Sequence, residues 1–129
     1  MKYLGIDFGL KNIGLSLAEG PLAEPFAQKK YKDIDKLLTY LVQVCQKEKI
    51  NTIIIGFPEG NLRKSVKKLG NKLKNLTNLP IFYQDETLTT KEAEQKMIQA
   101  NIPQKKRRQD HRVAAALILQ DYLDTHVKA

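Results

Sequence analysis

Three places in this chain of 129 residues put acids where a divalent cation could be held. Asp7 follows the apolar residues 3–6 and is flanked by Gly9 and Gly14, which leave room for a phosphate beside its carboxylate. Asp85 and Glu86 follow residues 80–84, at a strand's C-terminal end, where open α/β sheets place their sites. Adjacent strand residues point to opposite faces, so only one of this pair can easily face Asp7. Asp110 and His111 open the last apolar stretch, directly after the cations Lys105, Lys106, Arg107 and Arg108. Each acid has an ordinary explanation by itself, as a turn residue, a cap or a favourable charge at a helix start. Converging on one sheet edge, they would form a set of hard oxygen ligands suited to Mg²⁺ or Mn²⁺, and no Cys/His grouping points to zinc. Two such ions roughly 3.5–4 Å apart would activate water and stabilise a leaving oxygen in phosphodiester cleavage.

The elements that must position these residues can be read from periodicity. Residues 3–6 and 13–18 read as two strands joined by a turn, and residues 26–30 as a third, giving an antiparallel meander. Ile34, Leu37, Leu38, Leu41, Val44 and Cys45 follow helical spacing, with Asp33 as the cap. Residues 52–55 form a β-branched run ended by Gly56, the mark of an interior strand buried on both faces. Leu62, Val66, Leu69, Leu73 and Leu76 give a second helix one dry face and leave the remainder strongly basic. Residues 80–84 complete five strands; helices follow at residues 90–99 and, beyond Pro103, at residues 109–124, the last with Val113, Ala114, Leu117, Ile118 and Tyr122 as its apolar stripe. The expectation is one α/β domain over residues 1–129, a mixed five-stranded sheet of antiparallel meander then parallel strands, with helices on both faces.

Charge indicates the partner. Lys and Arg total 22 against 14 acids, a formal net charge of +8, which favours a polyanion such as nucleic acid through counterion release. Lys11 beside the first turn, Arg63, Lys64 and Lys67 on the basic helix, and the Lys105–Arg108 run are the candidate phosphate contacts. Cys45 is the single cysteine and cannot make an internal disulfide, which fits a reducing compartment. No run approaches the roughly 18 apolar residues of a membrane span, and the first residues lack a signal-peptide core. A cytoplasmic protein is expected, a monomer or weak homodimer.

Four segments in order, GIDFGLKNIGLSL, IIIGFPEGN, QDETLTT and AAALILQDYLD, resemble the YqgF/RuvX family of Holliday junction resolvases over essentially the whole chain. The resemblance implies an RNase H-like fold, divalent-metal nuclease chemistry, and a part in ribosome biogenesis, maturing the 5′ end of precursor 16S rRNA. It places the first-strand ligand on Asp7 and the acid of the DE motif on Glu86. Two departures stand out. Thr87 replaces the family's usual arginine, and His111 occupies the position of its last-helix aspartate, with Asp110 one place earlier. Neighbouring helical residues differ by about 100° in direction, so Asp110 and His111 are alternatives unless the helix start shifts. The hardness of the ion favours Asp110.

Two other functional classes fit parts of the pattern. A non-catalytic nucleic-acid-binding module, for example on the ribosome, would use the basic surface and keep the acids as structure. An ATP-handling protein of the actin and sugar-kinase type shares the Asp and Gly-rich first hairpin but needs two such domains. The substrate, precursor rRNA or branched DNA, is left open by fold and ligand set alike.

Overall fold

The computed structural model describes residues 1–85 and 111–127. The helix expected at residues 90–99 lies outside them. Five strands, β1 (Tyr3–Phe8), β2 (Asn12–Ala18), β3 (Glu24–Lys30), β4 (Thr52–Phe57) and β5 (Ile81–Asp85), form one sheet in the order β3-β2-β1-β4-β5. The pairs β1–β2 and β2–β3 are antiparallel; β1–β4 and β4–β5 are parallel. The meander followed by parallel strands is therefore present as expected.

Strand alternation divides the core in two. Leu4, Ile6 and Phe8 of β1 point to the face covered by α1 (Ile34–Lys47) and α2 (Leu62–Thr77), where they meet Leu37, Leu41, Leu69 and Leu73. Tyr3, Gly5 and Asp7 face the other way, toward α3 (His111–His126). Ile53, Ile54 and Ile55 of β4 are wholly buried, the middle one against α3 and its neighbours against α1 and α2. β4 is thus interior, as its β-branched run predicts, although β1 is the middle strand. Asp33 caps α1, accepting a hydrogen bond from the Asp35 N–H at 2.8 Å.

The face under α3 is built from small residues. Gly5, Gly14, Ser16 and Ala18 let the helix lie close to β1 and β2, and the Ser16 hydroxyl donates to the carbonyl of Ala115 at 2.8 Å. A Cβ on Gly5 would come within 2.8 Å of the Leu119 Cβ.

Three details depart from the periodicity. β3 starts at Glu24 and accommodates Pro25 because it is an edge strand, with a register shift opposite Leu15 and Ser16. Leu76, expected on the dry face of α2, is 57% exposed, since the last turn continues beyond Leu73, the helix's final buried residue. α3 has no single apolar stripe. Val113 and Ile118 are buried as expected, but so are Ala115, Ala116, Leu119, Gln120, Asp121 and Leu123, while Ala114, Leu117 and Tyr122 are only partly covered. A helix enclosed around most of its circumference loses the contrast between faces on which a stripe depends.

Candidate active site

Asp7 stands near the C-terminal end of the middle strand, and the turn beyond it is braced. The Gly9 N–H donates to the Asn12 carbonyl at 2.8 Å, closing a two-residue loop of Leu10 and Lys11. Tyr31, just past β3, holds that loop from both sides: its N–H donates to the Lys11 carbonyl at 3.0 Å, its hydroxyl donates to the Gly9 carbonyl, and its ring stacks on Phe8. Burial among these groups raises the Tyr31 hydroxyl pKa, which keeps it a neutral donor.

Directly across the hairpin from Asp7 lies Gly14. The first residue of α3 rests on it so closely that a Cβ there would fall 1.9 Å from the carbonyl oxygen of His111. This contact delivers the imidazole to the acid: His111 Nδ1 lies 3.0 Å from Asp7 Oδ2. The His111 N–H donates to Gln28 Oε1 on β3 at 3.1 Å, fixing the start of the helix from the other side. The two side chains remain 36% and 17% exposed for His111 and Asp7, so solvent can reach them.

Asn12, two residues before Gly14 on the same face of β2, has a buried side-chain oxygen, Oδ1, without a hydrogen-bond partner. The Asp7 carboxylate and the unpaired Asn12 carboxamide oxygen, both of the first hairpin, are hard oxygen donors of the kind a divalent cation prefers, and the His111 imidazole is the softer group beside them. Cys45 belongs to the opposite core, where burial pushes its thiol up to about 11, so it is no competing soft ligand.

Among the described residues, no group of three His, Cys, Asp or Glu converges. Asp7 and His111 meet. Strand alternation puts Asp85 with Ile81 and Tyr83 on the α1 and α2 face, away from Asp7. Glu86, Asp110, Lys105, Lys106, Arg107 and Arg108 lie outside the described residues. Of the other expected cations, Lys11 is exposed at the tip of the hairpin, and Lys64 and Lys67 are exposed on α2. The Arg63 guanidinium lies 4.0 Å from the centre of the Phe57 ring, at the same end of the sheet as Asp7. Asn12 and Gln28 were not singled out by the sequence. Asn12 has the chemistry of a turn residue, and nothing local marks Gln28 as the partner of a helix more than eighty residues away.

The mixed five-stranded sheet with helices on both faces is an RNase H-like fold. In fold the chain is similar to T. thermophilus RuvC solved in complex with a Holliday junction substrate, with a TM-score of 0.67 at 13% identity over 95% of this chain and 92% of that one. It is also similar to fowlpox virus resolvase in complex with Holliday junction DNA, with a TM-score of 0.60 at 12% identity over 99% and 100% of the two chains. The chain belongs to the RuvX family, described as Holliday junction resolvase, whose model matches residues 1–125. Relatives named "Putative pre-16S rRNA nuclease" include one from Endomicrobium trichonymphae, 34% identical over 95% of each chain. Another, from Syntrophus aciditrophicus, is 36% identical over 96% of this chain and 89% of its own.

Proposed function

We propose that this chain is a divalent-metal-dependent endonuclease acting on structured nucleic acid, and that it processes the 5′ end of precursor 16S rRNA. The observation that carries this reading is the Asp7–His111 pair at 3.0 Å, reachable from solvent, in a chain whose near-full-length relatives bear the name of a pre-16S rRNA nuclease. Asp7, Glu86 and either Asp110 or His111 would hold Mg²⁺ or Mn²⁺. When bound, the ion supplies Lewis-acid stabilisation of phosphoryl charge and a lowered pKa for the attacking water.

The chain's own residues do the rest. The bond from His111 fixes one oxygen of Asp7 and leaves the other, Oδ1, to bind. With Nδ1 turned to Asp7, Nε2 is the ring atom left for a ligand or a proton. Lys11, Arg63, Lys64 and Lys67, with Lys105, Lys106, Arg107 and Arg108, would hold the phosphate backbone in register. This reading takes residues 1–129 as one domain working in the cytoplasm, ribosome-associated, as a monomer or weak homodimer. Resolution of four-way DNA junctions is the second reading, favoured by the family's description and by the junction-bound neighbours in fold.

The test is cleavage of labelled precursor 16S rRNA and of a four-way DNA junction, with Mg²⁺, Mn²⁺ or chelator. Wild type should cut the RNA at its 5′ side only with metal, and Asp7→Asn should fall to background while still binding. Cutting of the junction alone selects the second reading. Equal background from both proteins, with binding intact, leaves a non-catalytic binding module.

A further inference from the structure

Asp121 on α3 is 2% exposed and Gln84 on β5 is 8% exposed, and Gln84 Nε2 donates to Asp121 Oδ2 at 2.7 Å. The second oxygen of the carboxylate, Oδ1, is buried without a hydrogen-bond partner. For stability this is a poor choice. A buried carboxylate with an unsatisfied oxygen carries a desolvation penalty, and an apolar pair of similar volume in such a place is often neutral or stabilising. A directional bond provides what an apolar contact does not, a single axial register of the helix on the strand.

The place of the bond gives that register a use. Ser16 reaches Ala115, Gln120 reaches Pro21 and Ala23, and the His111 N–H reaches Gln28, so these ties fasten α3 to β2, β3 and the connection between them. The Asp121 bond crosses the sheet to β5. It ties the helix that begins with His111 to β5, the strand that ends at Asp85. Gln84 also pairs in register with Gly56 of β4, which follows Ile55, the partner of Ile6 beside Asp7.

We propose that Asp121 and Gln84 are a positioning pair: their buried bond sets α3 against β5, and so holds His111 against Asp7 at the spacing that binds the divalent ion. The inference rests on the nuclease reading above. Residues that orient metal ligands without touching the metal typically change its affinity by about 10–100-fold when removed.

The experiment is Mn²⁺ titration of the full chain, followed by electron paramagnetic resonance, with thermal denaturation and steady-state kinetics alongside. It compares wild type, Asp121→Asn, Asp121→Leu and the double variant Gln84→Leu/Asp121→Leu. Asp121→Asn removes the charge but keeps an oxygen that accepts from Gln84, and should bind Mn²⁺ like wild type. The two leucine variants should bind it at least about tenfold more weakly, with the loss in kcat rather than KM, and the double variant should melt no lower than wild type. Leucine variants that fold and bind Mn²⁺ as wild type overturn the inference and leave the nuclease reading standing. A double variant that does not fold makes the pair merely structural and also overturns it. A wild type that neither binds Mn²⁺ nor cleaves overturns the nuclease reading itself.

Discussion

The Asp7–His111 contact depends on a residue with no side chain. Gly14 is not forced by its backbone angles, because Gly60 is the glycine with a positive φ among the described residues. It is forced by space, since any Cβ would press on the backbone of His111, which cannot rotate aside. Gly70 makes the useful contrast: a Cβ there meets the Tyr83 hydroxyl, the far end of a side chain that can swing away. Gly14→Ala should therefore destabilise the fold by about 1–3 kcal/mol, as overpacking does, and displace the imidazole, cutting cleavage severely. Gly70→Ala should cost less and leave cleavage nearly intact. Thermal denaturation and single-turnover cleavage of the two variants check this, and equal behaviour would remove Gly14 from its role as the seat of His111. The sequence marked Gly14 as room for a phosphate beside Asp7, whereas the structure uses that room for the helix that brings in His111.

At the scale of elements, the amphipathic pieces were legible and the enclosed one was not. α1 and α2 each bury one face against the sheet, so their spacing could be read directly, down to the Asp33 cap. The β-branched run of β4 announced its own double burial. α3 is covered on most sides, and two of its buried residues, Gln120 and Asp121, are polar. Their partners lie far away in sequence, which no local pattern shows. Gln120 is the stronger fastening: its oxygen accepts from the Ala23 N–H at 2.8 Å, and its amide donates to the Pro21 carbonyl at 2.9 Å and to Asp124 at 3.0 Å. Gln120→Leu keeps the bulk but leaves the buried Ala23 N–H unpaired. It should lower stability by about 1–3 kcal/mol while the Gln84–Asp121 bond keeps the register of α3, and with it activity at temperatures where the protein is folded. A melting curve with cleavage rates at 25 °C would show it, and an unchanged melting temperature would mean that the Gln120 bonds contribute little.

For the whole molecule, the excess of 22 cations over 14 acids is not spread evenly among the described elements. The cations of α2, including Lys64, Lys67, Lys68 and Lys72, are exposed and stand off the sheet, and their helix has no acid in its first turn to neutralise them. Lys11 and Arg63 stand at the same end of the sheet as Asp7. Such a field draws in a polyanion and aligns it before any specific contact forms, and its signature is salt dependence. Each lost phosphate contact lowers the slope of log affinity against log salt by about 0.7 on single strands and about 0.9 on duplex. Lys64→Gln with Lys67→Gln should therefore reduce that slope by roughly 1.4–1.8 and weaken binding most at low salt. These lysines lie on the α1 and α2 side of the sheet, away from the Asp7–His111 pair, so cleavage at saturating substrate should be unchanged. Binding isotherms at several salt concentrations, beside the cleavage rate at saturation, separate the two effects. An unchanged slope would take α2 out of the nucleic-acid path, and the attraction would then reside in Lys11, Arg63 and the cations at residues 105–108.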